Sequence, residues 1–282
     1  MYSLHCIHMN TVKIVPVLYA SQVAACIDKN RFKPKREVLE TMWERLDPKG
    51  YRKALNRNQK KTEKEQVQII MEKHVAVKHA VQHSLDVVKD TSHETLQDCV
   101  ETKAAIEDVP MSVEEKRLIE KTIQTNSYTQ YGTREEVNVK DILGREYDIV
   151  DIIDDTKFHK KTFTSPQGHT FIVGGKIDGF TSDRETVLEI KNRVKRLFHQ
   201  VYEYEEIQLQ TYLQILDKKQ GKLIECHKGL DGIPEIDIHD VPKDDAMWND
   251  TILPGLEKFV HVLINVVQNE KTQDAFLNKK KT

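Results

Sequence analysis

Cysteine is scarce in this sequence: Cys6, Cys26, Cys99 and Cys226 stand alone among 282 residues, with no Cys-x-x-Cys pair. Isolated cysteines of this kind are expected to stay reduced in an intracellular protein, cytoplasmic or nuclear, and not to cross-link a secreted one. An excess of one charge sign is also lacking, because 43 basic and 45 acidic residues leave a net charge of −2. The chain is therefore no bulk polycation, and any contact with nucleic acid must come from a local basic groove. The opening segment from Met1 to Ile27 has no basic n-region, and Ser21 and Gln22 interrupt its apolar run. It is expected to be neither a signal peptide nor a membrane span. No repeat of fixed period is evident, which argues against a helical solenoid. His74, His79 and His83 have no HExxH motif or acidic third ligand beside them, so they read as solvent-facing or packing side chains and not as a zinc site.

What is present is charge and helix. Charged residues make up 31% and hydrophobic ones 38% of a length that suits one large domain, or one domain carrying a sizeable insertion. Ser21 reads as the N-cap of a helix with Val23, Ala24 and Ile27 on its inner side. Lys29, Arg31, Lys33, Lys35 and Arg36 form a basic run around Phe32 and Pro34, the pattern of a solvated face. Val38, Leu39, Met42, Trp43 and Leu46 recur at helical steps, and Asp47-Pro48-Lys49-Gly50 is expected to stop that helix. From Tyr51 to Thr125 the sequence is helix-compatible almost throughout, with Ser112-x-x-Glu115 as a capping box.

The rest of the chain is organised around Gly174 to Lys191. Thr170 to Val173 and Thr186 to Ile190 read as strands, with Gly174, Gly175, Gly179, Ser182 and Asp183 punctuating the turns between them. Alternation along a strand puts Val187, Glu189 and Lys191 on one face and Leu188 and Ile190 on the other. Pairing as a hairpin would bring Asp178 opposite them. Two carboxylates and an ammonium at one sheet edge suit Mg²⁺, which takes one or two carboxylates plus water and substrate phosphate. The Ile190 carbonyl is a further candidate ligand. Arg193, Lys195 and Arg196 leave this strand directly and are placed to meet phosphates. Tyr147 to Ile153, Phe158 to Phe163, Lys222 to His227 and Glu235 to Val241 read as strands, and a closing helix from Trp248 to Val267 is expected to bend at Pro254. Gln208 and Tyr212 share one helical face, with Tyr212 open to a core reading, while Gln210 lies on another face and is a candidate for DNA contact.

Asp178 followed by Glu189-Ile190-Lys191 resembles the D…(D/E)xK signature of the PD-(D/E)XK nuclease superfamily. Three further blocks, in the family's order along the chain, add to the likeness. Tyr131-Gly132-Thr133-Arg134-Glu135-Glu136 is similar to its G-x-x-x-E helix, which would make Glu136, and not the neighbouring Glu135, another metal-site carboxylate. Gln208-x-x-x-Tyr212 is similar to the Q-x-x-x-Y helix of the lambda-exonuclease and RecB-like branch. Tyr19 to Ala25 resembles the "ASQ-x-A" helix of YqaJ-like viral recombinases, the alkaline exonucleases, and would place Ser21 beside a phosphate. The cysteine spacing does not fit the iron–sulfur cluster that some RecB-like nucleases carry.

The resemblance implies an α/β (α+β) fold: a restriction-endonuclease-like core with a mixed central sheet flanked by helices, plus a largely helical N-terminal and insert region. Residues 1–50 would supply the first helices, 51–128 a helical insertion and 129–282 the nuclease core with its closing helix. The implied function is a Mg²⁺-dependent exonuclease, for which Mn²⁺ would substitute, resecting double-stranded DNA ends 5′ to 3′ for recombination or repair. Asp178, Glu189, Ile190 and Glu136 would hold metal, and Lys191 would orient or help deprotonate the attacking water. The family implies a single-strand annealing partner and a homo-oligomer, with no membrane. Two other readings stay open: a RecB-like or structure-specific endonuclease, and a catalytically inactive helical DNA-binding or scaffold protein.

Overall fold

The structure, a computed structural model, describes residues 14–86, 89–146 and 157–279. The beginning of the Met1–Ile27 segment, Cys6 and the strand expected over Tyr147 to Ile153 lie outside the described residues. The fold is a mixed α/β arrangement in which helices fill the first half and strands alternate with helices in the second.

After strand β1 (Val17–Tyr19) come helices α1 (Ala20–Cys26), α2 (Lys35–Leu46) and α3 (Pro48–Arg57). Ser21 is not the N-cap of α1. Tyr19 holds that position without a side-chain bond, and Ser21 sits exposed in the first turn, because Leu18 and Ala20 are drawn into the core and set the chain's entry. Asp47-Pro48 both ends α2 and begins α3: the Asp47 carboxylate accepts from the Gly50 N–H at 2.9 Å, and Pro48 occupies a first-turn position that needs no N–H donor. Of the basic run, Lys29 pairs with Glu203, Lys35 with Asp28, and Arg31 and Arg36 lie over aromatic rings.

Helices α4 (Glu63–Lys73), α5 (Val75–Asp86), α6 (Ser92–Ala104) and α7 (Val113–Glu146) follow. Thr62 and Glu65, Thr91 and Glu94, and Ser112 and Glu115 cap three of these helices reciprocally. These helices bury a core of their own, built on Ile70, Val77, Val81, Ile106, Ile119 and Ile123. His83, on the exposed side of α5, bonds Asp98 at 2.8 Å. Helix α7 runs unbroken across positions 128 and 129, so its first half belongs to the helical layer and its second half reaches the sheet. Gly132 does not interrupt it, and its carbonyl accepts from the Asn192 side chain at 2.8 Å.

The strands are β2 (His159–Thr164), β3 (Thr170–Gly175), β4 (Gly179–Phe180), β5 (Thr186–Arg193), β6 (Gln220–Lys228) and β7 (Pro234–Pro242), with helix α8 (Glu203–Leu216) between β5 and β6. They form two mixed ladders, β1-β3-β2 and β4-β5-β6-β7, and not one. The hairpin expected between Thr170–Val173 and Thr186–Ile190 is made instead by β4 and β5, with Gly179 opposite Leu188 and Phe180 opposite Val187. Gly174 and Gly175 lie inside β3, not in a turn. A Cβ on Gly174 would stand 2.5 Å from the His159 carbonyl oxygen, and one on Gly175 would stand 2.8 Å from the Tyr212 hydroxyl, so close packing explains both glycines.

The second ladder is covered on both faces. Val139 and Leu143 of α7 pack on Leu188, Ile190 and Ile224, while Leu209, Tyr212 and Leu213 of α8 pack on Val187 and Leu223. A π-helical turn (Met247–Ile252) leads into α9 (Leu253–Gln268), and α10 (Glu270–Asn278) closes the chain. Pro254 therefore sits in the first turn of α9, where a proline breaks no helical bond, and the irregularity precedes it. Helices α1, α2, α3, α9 and α10 bury the remaining core against β3. Among the described residues no helix is long and apolar enough to cross a membrane.

Candidate active site

The site forms where a strand stops. β4 contributes only Gly179 and Phe180, so beyond Leu188 the outer edge of β5 has no strand beside it among the described residues. The backbone groups there need other partners. Asp178, just before β4, supplies one: its Oδ2 accepts from the Ile190 N–H at 2.6 Å. The open edge becomes a cleft of about 320 Å³ lined by Glu136, Asp178, Glu189, Ile190 and Lys191, with Gly132 and Thr133 of α7 as part of its wall. Nothing stands within 4 Å of where a Gly132 Cβ would lie. The absent side chain thus keeps this wall low, at a cost of about 1 kcal/mol to the helix.

Lys191 and Glu189 share the α8 face of β5. The ammonium donates to Glu189 Oε1 at 2.6 Å and to Gln208 Oε1 at 3.2 Å, and Gln208 Nε2 donates back to the same Glu189 oxygen at 2.6 Å. Gln208 is therefore a positioning group that closes a three-membered hydrogen-bonded ring, and not a free hand for DNA. Burial works against the Lys191 charge, but the charge and hydrogen bond of Glu189, with Asp178 behind, outweigh it and hold the pKa above the usual lysine value. Lys191 is thus held as an ammonium by Glu189 and Asp178.

Asp178 is pushed the other way. Burial, then the neighbouring Glu189, raise its carboxyl to about 8, against the opposing pull of the Ile190 N–H and Lys191. On α7 the two candidate glutamates separate. Glu135 is buried and bonded to Arg134 and Asn138, whereas Glu136 lines the cleft, with Lys140 at 2.9 Å.

The donor set fits a divalent cation. Glu136, Asp178, Glu189 and the Ile190 carbonyl offer hard oxygens of the kind that Mg²⁺ takes. Asp178, raised first by burial and then by Glu189, is a carboxyl whose charged form a cation in the cleft would favour.

The other expected substrate contacts are either engaged by protein groups or lie outside the cleft. Arg193 borders the cleft, but its side chain is 10% exposed and its guanidinium is taken up by Glu205 at 2.7 Å and Glu225 at 2.6 Å, both covered acids. Gln210 is completely buried, donating to the Pro242 carbonyl and accepting from the Asp244 N–H, so it cannot face DNA. Tyr212 is a core residue whose hydroxyl donates to the Lys176 carbonyl at 2.6 Å, and burial raises its pKa. Arg196 is exposed, and neither it nor Ser21 lines the cleft. Asn192, which ties β5 to α7, was hidden within the basic cluster that follows Lys191. Its one signal is its place on the strand directly after the Glu-x-Lys triplet.

No protein-family model matches the chain, and no curated protein matches it. Among solved structures, the chain is similar to an alkaline exonuclease (LHK-Exo) from Laribacter hongkongensis, at 17% identity over 62% of this chain and 93% of that one, with a TM-score of 0.39. It is also similar to SSO0001, at 17% identity over 67% of this chain and 85% of that one, with a TM-score of 0.39. A third likeness is to a phage related exonuclease from Haemophilus somnus 129PT, at 16% identity over 52% of this chain and 71% of that one, with a TM-score of 0.36.

Proposed function

We propose that this protein is a Mg²⁺-dependent deoxyribonuclease of the lambda-exonuclease type, hydrolysing phosphodiester bonds from the ends of duplex DNA, 5′ to 3′, in recombination or repair. One observation carries the reading: Glu136 and Asp178, from separate parts of the chain, line a single open cleft at the edge of β5 together with the consecutive Glu189, Ile190 and Lys191. The D…ExK, G-x-x-x-E and Q-x-x-x-Y blocks of the sequence supply these same side chains and the glutamine that orients them.

In this reading Asp178 and Glu189 hold the ion, with the Ile190 carbonyl and Glu136 completing the set. When bound, Mg²⁺ supplies a Lewis acid that polarises the phosphate and lowers the pKa of a bound water. Lys191 contributes a preorganised ammonium aimed at the charge that develops on the phosphate oxygens. Gln208 fixes both members of the Glu189–Lys191 pair, so that neither must reorganise as the reaction proceeds. Exposed Arg196 and Ser21 are the candidates for backbone contacts further along the DNA.

The test is incubation of purified protein with end-labelled linear duplex and covalently closed circles, in Mg²⁺ or in EDTA. Mg²⁺-dependent loss of linear DNA, with circles intact, is the expected outcome. Nicked circles would point to an endonuclease, and DNA that is shifted but uncut would reject the catalytic reading.

A further inference from the structure

Beside the cleft, one strand further into the sheet, a second group of metal-ligating side chains converges. Glu225 on β6 and Asp237 on β7 are direct cross-strand partners. His239, two residues beyond Asp237, falls on the same face by strand alternation. One ligand atom from each of the three lies within 4.8 Å of the others. His239 Nε2 is 3.5 Å from Glu225 Oε2 and 3.5 Å from Asp237 Oδ2. Ligands about 2.0–2.1 Å from a tetrahedral zinc ion are separated by roughly 3.3–3.4 Å, close to both spacings.

Two features favour a cation here in addition to the Arg193 guanidinium, which already meets Glu225 and is shared with Glu205. Like charges directly opposed on antiparallel strands destabilise the pair, and Glu225 and Asp237 are so opposed. Arg193 engages Glu225 through Oε1, leaving Oε2 on the side of Asp237 with the Phe198 and His199 N–H groups. His239 Nε2 is also buried without a hydrogen-bond partner, since 3.5 Å is too long a contact to satisfy it. His199 Nδ1 lies 2.8 Å from the same Asp237 Oδ2 and helps to fix that carboxylate.

We propose that Glu225, Asp237 and His239 bind a tetrahedral transition-metal ion of the zinc class, distinct from the oxygen-lined cleft. An imidazole beside two carboxylates favours such an ion over Mg²⁺. The ion would tie β6 and β7 to the 196–199 loop, whose N–H groups rest on Glu225. This site does not depend on the nuclease reading.

The experiment uses the full chain with Glu136→Gln, Asp178→Asn and Glu189→Gln, which blank the three cleft carboxylates. After EDTA treatment and removal of the chelator, Zn²⁺ is titrated calorimetrically and melting is followed with and without Zn²⁺. A single Zn²⁺ site per chain and a zinc-dependent rise in melting temperature are expected, neither of them produced by Mg²⁺. Adding His239→Gln, or separately Asp237→Asn, is expected to weaken zinc binding at least about tenfold and to remove the rise. Cooperative melting in EDTA shows that each variant is folded, and either variant alone suffices for the comparison. Absence of zinc binding in the cleft-blanked chain, or binding unaffected by the substitution, overturns the proposal.

Discussion

Lys191 and Arg193 stand two residues apart on β5, point to the same face and both pair with acids, yet their circumstances differ. Lys191 keeps 24% of its side chain exposed and meets one carboxylate and an amide at the rim of a cleft. Arg193 is closed in, with Glu205 from the first turn of α8 on one side and Glu225 from β6 on the other. Cover makes the difference: α8 lays a second acid over Arg193 but presents only Gln208 to Lys191. A buried guanidinium between two buried carboxylates is a clasp that serves packing. An ammonium held in place at an opening is available for chemistry.

Breaking the clasp is expected to have the largest effect. Arg193→Ala leaves Glu205 and Glu225 buried without their cation and is expected to cost about 3–5 kcal/mol of stability, measured by urea denaturation. Lys191→Ala is expected to spare the fold and the DNA affinity while slowing Mg²⁺-dependent cleavage by about a hundredfold, near 3 kcal/mol in the barrier. Single-turnover rates beside equilibrium binding separate the two. Comparable destabilisation by the two substitutions would erase the distinction drawn between these residues. Gln208→Ala loosens both members of the Glu189–Lys191 pair and is expected to lower the same rate about tenfold, or 1.4 kcal/mol.

The last expectation is read as a slope against pH and concerns Asp178. Its carboxyl is raised to about 8 in the fold, against 3.8 for an ordinary aspartate, so between these values the folded chain holds a proton that the unfolded chain has lost. Without Mg²⁺, stability should therefore fall as pH rises from about 4 to 8, by at most about 1.4 kcal/mol per pH unit for one proton. Asp178→Asn should flatten that slope in melts run across the range.

Features that depend on neighbours in sequence were legible in advance. Alternation alone placed Glu189 with Lys191 and Leu188 with Ile190, and the Ser112–Glu115 capping box needs only three residues of spacing. What the sequence concealed was set by distant partners. Arg193 reads as a basic residue following a Glu-x-Lys triplet until Glu205 and Glu225, 12 and 32 positions later, close over it. Gln210 looks free on its helix, but the β7 terminus at Pro242 covers it. Gly174 and Gly175 signal a turn, yet ring and carbonyl contacts from other elements keep both in a strand. Of Glu135 and Glu136, the resemblance to the G-x-x-x-E block implies the second, and in the fold the first is already engaged by Arg134 and Asn138.

The shortness of β4 has a bearing on how this protein tolerates change. Lengthening the Lys176–Thr181 connection so that pairing continued past Gly179 would zip the free margin of β5 into an ordinary interior ladder. The Ile190 N–H would then find a carbonyl in place of Asp178, and the opening would vanish while the hydrophobic layers above and below stayed intact. Insertions there would thus be mild for folding and severe for anything that must enter from outside, the reverse of what a surface loop usually allows.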